Sequence, residues 1–167
     1  MNLFSNFFKK KQTNSSQYTD IISPVSGTIT NIKDVPDEVF SKKIIGDGIA
    51  IKPSGHRIVA PVNGKIGKIF KTMHAFSIVT ENQIELFVHF GIDTILLKGK
   101  GFEKIASENQ IVSAGDIIIK YDLKFIIKHA KSILTPIVIS NIDQIQKIKK
   151  YSGQAIAGKT VIMKIKK

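Results

Sequence analysis

Apolar residues recur at every second position through much of this chain, in short runs broken by glycine and polar turns. Strand side chains alternate between faces, so such runs read as half-buried β-strands. Lys68 to Thr80 reads as one strand in which Thr72, His74, Phe76 and Ile78 share a face. Ile84 to Thr94 opens a second, with Ile84, Leu86, Val88 and Phe90 on an apolar face and Glu85, Phe87 and His89 on the other. The polar Thr80-Glu81-Asn82-Gln83 between them predicts a hairpin that sets His74 and His89 on neighbouring strands. Imidazole can hold a metal, a proton or a phosphoryl group near neutral pH, so the pair is a candidate site.

From Ile21 onward, glycines punctuate β-branched runs, the pattern of a sandwich or a barrel. Two pairs of echoes suggest internal pseudo-symmetry: Ser23-Pro-Val-Ser-Gly with Ala60-Pro-Val-Asn-Gly, and Ser113-Ala-Gly-Asp with Ile156-Ala-Gly-Lys. Lys124 to Ser132 is the best helical candidate, with Phe125, Ile126, Ala130 and Ile133 on one side; Ile142 to Lys150 is a second, of a turn or two. Residues 1–18 differ from the rest. Leu3, Phe4, Phe7 and Phe8 fall at helical spacing, Lys9-Lys10-Lys11 follows, and a Gln/Thr/Asn/Ser stretch reads as a linker. That is the pattern of an amphipathic tail attracted to anionic lipid, with residues 19–167 forming one β domain.

The 167 residues suffice for one domain with a substantial core. A transmembrane run, a signal-peptide pattern and cysteine are all absent, which together predict a cytoplasmic protein, peripherally associated with the membrane at times through the tail. The net charge of +12 would ordinarily suggest nucleic acid. Against that, Arg57 is the one arginine, and the lysines alternate with isoleucine (Lys120, Lys128, Lys147, Lys164) instead of gathering beside stacking aromatics. Compositional drift toward lysine and isoleucine codons accounts for the charge, and no nucleic-acid partner is expected.

The wording around the histidines is more specific. Val88-His89-Phe90-Gly91-Ile92-Asp93-Thr94 and Thr72-Met73-His74-Ala75-Phe76 resemble the glucose-specific IIA component of the bacterial phosphoenolpyruvate-dependent sugar phosphotransferase system. Val35-Pro-Asp-Glu-Val-Phe, Ile44-Ile-Gly-Asp-Gly-Ile-Ala-Ile-Lys-Pro, Ala60 to Phe70 and Ser132 to Asn141 continue the resemblance in the family's order. It implies an antiparallel β-sandwich with minor helix and an amphipathic N-terminal tail. It implies a phosphotransferase component with a phosphohistidine intermediate and no required cofactor, accepting a phosphoryl group from phospho-HPr and passing it to the IIB domain of a sugar permease. Regulatory targets are further partners in the family.

By the same resemblance His89 is phosphorylated on Nε2, with Nδ1–H directed at a nearby carbonyl, His74 stabilises the moving group, and Thr72 orients His74. Phe40, Phe70 and Phe87 are apolar contacts for partners and Asp37 and Asp93 an acidic rim, while Lys71 and Met73 depart from the acidic and polar residues more usual there. The family's two histidines also bind zinc when a partner supplies a carboxylate. His56 and His129 fall outside these motifs and are expected to be solvated.

Two other readings compete. His74, His89 and Asp93 would make a three-ligand zinc site of a hydrolase, although the His-x-His pair of β-sandwich peptidases is missing. Val161-Ile-Met-Lys-Ile resembles a biotinylation sequence, but Lys164 stands three residues from the end, leaving no room for the strand that should follow it.

Overall fold

A computed structural model describes residues 17–167. Its strands in the first half are β1 (Thr19–Ile22), β2 (Ser26–Asn31), β3 (Asp47–Ser54), β4 (Arg57–Val59), β5 (Gly64–Ile69), β6 (Ala75–Val79) and β7 (Glu85–His89). The second half adds β8 (Phe102–Lys104), β9 (Ile111–Val112), β10 (Ile117–Tyr121), β11 (Thr135–Ile139), β12 (Lys147–Lys150), β13 (Gly153–Ala155) and β14 (Val161–Lys166). Among the described residues helix is confined to α1 (Glu38–Ser41), α2 (Leu123–His129) and three short 3-10 turns.

The strands form an antiparallel sandwich. An eight-stranded sheet runs β13-β2-β3-β11-β7-β6-β5-β9, and two three-stranded sheets, β1-β14-β12 and β4-β10-β8, oppose it. Alternation explains the packing. Phe76, Ile78, Leu86, Val88, Ile137 and Ile139 of the large sheet share one buried cluster with Ile21, Met163 and Ile165 of the first small sheet. Residues of opposite parity on the large sheet, Ala50 and Val138 among them, form a second cluster with Ile32, Val35 and Phe40 on its outer face.

The sequence echoes prove to be a structural two-fold. Ile22 N–H donates to Pro61 O and Val59 N–H to Pro24 O, both at 2.8 Å. Ser23 N–H reaches Thr160 O as Ala60 N–H reaches Asp116 O, again at 2.8 Å. Gly158 N–H returns to Ser23 O and Gly115 N–H to Ala60 O at 2.9 Å. Even the side chains correspond: Ser26 Oγ accepts from Ala157 N–H at 3.0 Å, Asn63 Oδ1 from Ala114 N–H at 2.7 Å. Each Pro-Val loop thus satisfies the otherwise orphaned backbone groups of its counterpart.

Two expectations change, and one rival reading falls away. Ile142 to Lys150 is not a helix: a 3-10 turn at Ile142–Gln144 leads into β12. Pairing with β14 along Lys147↔Lys166 to Lys150↔Met163 outweighs a weak helical periodicity in a segment of β-branched isoleucines. Lys68 to Thr80 is not one strand either, but the end of β5, a turn and β6. Lys164 lies mid-strand in β14, in an ion pair with Asp20, and not at a hairpin tip, which removes the biotin-carrier reading. Of the tail assigned to 1–18, residues 1–16 lie outside the described residues; Tyr18 packs beneath Lys149, whose Nζ is 4.4 Å from the ring centroid.

Candidate active site

β6 and β7 pair in the register Ala75↔His89, Phe76↔Val88, Ser77↔Phe87, so the polar hairpin joins them as the alternation predicted. Val88 faces the core while Phe87 and His89 face the outer side of the sheet. His74 arrives differently. Strict alternation would send it into the core with Phe76 and Ile78. Instead the chain turns before β6: Met73 is left-handed at φ 57°, its N–H donates to Phe70 O at 2.8 Å, and Phe90 N–H holds His74 O at 2.7 Å. The turn brings the His74 ring to 4.8 Å from that of His89, centroid to centroid, nearly perpendicular at 81°. Thr72 lies in this turn and not on a strand, yet its Oγ1 is 2.7 Å from His74 Nδ1.

His89 Nδ1 lies 2.8 Å from Gly91 O. The loop that aims this carbonyl is over-determined. Thr94 Oγ1 donates to Phe90 O at 2.6 Å and Ile92 N–H to Ser132 O at 2.8 Å. Gly91 sits at φ +68°, and an added Cβ would stand 2.7 Å from Thr94 Cγ2 and 2.8 Å from Ser132 O, so the position requires glycine.

Aromatic rings wall the pair. Phe40 packs on His89 at 5.1 Å, Phe87 lies 5.9 Å from His89, and Phe70 meets His74 edge-on at 5.4 Å. Phe40 is only 4% exposed, so it is a buried wall, whereas Phe70 and Phe87 are half-buried. Asp37 caps α1, its Oδ1 accepting from Val39 N–H at 2.8 Å, while Asp93 is exposed in a left-handed conformation at φ 59°.

Burial, and then the neighbouring His89, push the His74 pKa down to about 4. Burial lowers that of His89 as well, opposed by the Gly91 carbonyl and by the Asp37 and Asp93 carboxylates. Both imidazoles are therefore neutral at pH 7, one able to act as a nucleophile and the other as a neutral donor.

His56 and His129 are exposed, as expected, and His129 stacks on Phe125 at 4.2 Å. Among the described residues no group of three or more His, Cys, Asp or Glu is arranged to hold a metal, so His74, His89 and Asp93 do not form the ligand set of a zinc hydrolase. Sequence reasoning missed one feature. Val39 and Ile44, at and just beyond the helix that carries Phe40, and Ile95 and Leu96, in the 3-10 turn after Asp93, are large exposed apolar residues. No periodicity marks them, because exposure of single residues on one-turn helices is set by the tertiary fold.

Comparison with known proteins identifies the family of this fold. A family model described as phosphoenolpyruvate-dependent sugar phosphotransferase system, EIIA 1, matches residues 19–145. The PTS system glucose-specific EIIA component of Buchnera aphidicola subsp. Acyrthosiphon pisum (strain APS) is 63% identical over 163 residues, 98% of each chain. The PTS system N-acetylglucosamine-specific EIICBA component of Escherichia coli (strain K12) is 43% identical over 155 residues, 92% of this chain but 24% of that longer protein. The solved structure of glucose permease IIA from Mycoplasma capricolum superposes with a TM-score of 0.85 at 35% identity, covering 91% of this chain and 99% of that one. With the family model spanning most of the sandwich and a near full-length relative at this identity, the chain belongs to the EIIA family of the phosphoenolpyruvate-dependent sugar phosphotransferase system.

Proposed function

We propose that His89 is the residue through which this phosphocarrier takes a phosphoryl group from phospho-HPr and delivers it to a IIB domain. The observation that carries the assignment is the opposite tethering of the two Nδ1 atoms. His89 Nδ1–H donates to Gly91 O at 2.8 Å, which leaves Nε2 bare as the nucleophile. At His74 the Thr72 hydroxyl lies 2.7 Å from Nδ1; with the hydroxyl as donor, the ring proton stays on Nε2 to bond a phosphoryl oxygen. One ring attacks and the other donates, and their tautomers are set by different partners.

In the forward step the N–P bond of the donor's phosphohistidine breaks as the His89 Nε2–P bond forms. The attacking ring gains positive character, which the Gly91 carbonyl and the Asp37 and Asp93 carboxylates offset. His74 stabilises charge on the equatorial oxygens without adding a charge of its own. Delivery to the IIB domain is the reverse attack by the acceptor's nucleophile. That a relative carries IIA, IIB and permease parts in one chain supports IIB as the acceptor.

Both partners would seat on the apolar surface of Phe70, Phe87, Val39, Ile44, Ile95 and Leu96, with Asp37 and Asp93 attracting a basic donor. Lys71, exposed on the turn before His74, reduces that attraction. Two imidazoles are half of a tetrahedral zinc site, so zinc would bind only where a partner contributes a carboxylate, and transfer needs none. Regulatory partners would use the same face. The protein acts in the cytoplasm, with the segment 1–18 holding it near anionic membrane.

Incubation with phosphoenolpyruvate, enzyme I and HPr should yield an acid-labile, base-stable phosphate that peptide mapping assigns to His89. Recovery of the label on any other residue would overturn the assignment.

A further inference from the structure

Four of the lysines that look scattered in the sequence are gathered by the fold. In the sheet β1-β14-β12, Lys147 pairs directly with Lys166 and Lys149 with Lys164. Directly opposed residues of an antiparallel pair share a face, and the residues of the other parity, Ile148 and Ile165, turn inward to the core. Four ammonium groups therefore project from the outer face of one small sheet, in two stacked cross-strand pairs. Like charges directly opposite each other destabilise a sheet. One carboxylate offsets them, Asp20 at 3.4 Å from Lys164 Nζ; among the described residues Lys147, Lys149 and Lys166 make no ion pair.

This face lies across the sandwich from the histidines. Its inner side packs into the core that Phe76 and Val88 enter, whereas His89 faces the opposite, outer side of the large sheet. A flat partner covering the lysines would leave the histidine site open to soluble proteins.

We infer that the β1-β14-β12 face is a docking surface for anionic lipid headgroups, oriented so that His89 points away from the bilayer. Charge complementarity supports a bilayer, because four lysines on a sheet face meet a plane of anionic headgroups without any one geometry being required. The point of attachment supports it further. Residues 1–16, with their Leu3/Phe4/Phe7/Phe8 and Lys9-Lys10-Lys11 pattern, join the body at Gln17 and Tyr18, and Tyr18 packs under Lys149 on this same face. Nucleic acid fits less well: Arg57 is on β4 in the other small sheet, and Tyr18, the ring beside these lysines, is already covered by Lys149. The inference rests on the sheet's register, and the tail has its own arm in the test.

The full-length chain with Lys147, Lys149, Lys164 and Lys166 all changed to Gln is compared with three others. One carries the same change at Lys33, Lys52, Lys120 and Lys128, exposed lysines of other elements. One carries Arg at the four face positions, and one has Lys9, Lys10 and Lys11 changed to Gln. Binding is measured to phosphatidylglycerol-containing and to pure phosphatidylcholine vesicles, at low and high salt. A lysine near an anionic surface contributes about fivefold, so the face variant should bind anionic vesicles at least about tenfold more weakly. The Arg variant should retain binding, the control variant should lose much less, and high salt should erase the differences. The face variant should melt no lower than the parent, since it is relieved of opposed charges. Equal losses in the face and control variants would overturn the inference in favour of net charge alone. Unchanged binding by the face variant, with all loss in the tail variant, would overturn it in favour of the tail. Tighter binding to duplex DNA than to vesicles, lost on changing the same four lysines, would reassign the surface to nucleic acid.

Discussion

Thr72 Oγ1 stands 2.7 Å from His74 Nδ1, across a turn that the left-handed Met73 creates. In the proposed mechanism this hydroxyl donates to Nδ1 and keeps the His74 proton on Nε2. Thr72→Val should therefore slow phosphoryl transfer by about tenfold, the worth of a neutral hydrogen bond in the transition state. Thr72→Ser should restore most of the rate. Equal rates for the Val and Ser variants in rapid-quench transfer from phospho-HPr would separate Thr72 from the chemistry.

His89→Ala should abolish labelling outright. Its ring packs on Phe40 but belongs to the outer face and not to the main core, so the variant should still melt cooperatively. Circular dichroism alongside the labelling assay checks both halves.

His74→Gln should cost about 2–4 kcal/mol of transition-state stabilisation, a slowing of roughly two to three orders of magnitude in transfer. It should also change the pH dependence of stability. His74 titrates near 4 when folded, against 6.5 when free, so the unfolded chain binds the extra proton between those values. Stability from this group is complete above about pH 6.5 and is lost as pH falls toward about 4. Melting temperatures of the parent should drop more steeply across that window than those of His74→Gln.

Gly91→Ala should destabilise the domain by about 1–3 kcal/mol, because the backbone is left-handed and Thr94 and Ser132 leave no room for a Cβ. The larger effect should fall on transfer, since the displaced carbonyl no longer sets the His89 tautomer. An NMR assignment of the His89 ring protons would detect a mixture of tautomers where the parent has one.

Leu96 is 73% exposed in the 3-10 turn that follows Asp93. Leu96→Asp should raise the HPr concentration needed for half-maximal transfer several-fold while leaving the rate at saturation nearly unchanged, as expected for a lost apolar docking contact. Titration of the transfer rate against HPr distinguishes the two parameters.

The chain's own pattern determined a good deal. Alternation in Glu85 to His89 predicts which side of β7 meets the core, and Thr80 to Gln83 predicts the hairpin, because strand period and turn chemistry are local properties. The paired Pro-Val and Ala-Gly echoes predict a two-fold whose hydrogen bonds the fold then supplies. What local pattern could not decide is where a strand yields to a turn. A single left-handed residue, Met73, moves His74 from the core side to His89, and no alternation rule anticipates it. Nor could periodicity tell β12 from a helix, since only β14 on the other side of a pairing makes Lys147–Lys150 a strand. That same pairing turns lysines spread along the sequence into one charged face, because contact between distant segments is a property of the folded chain alone.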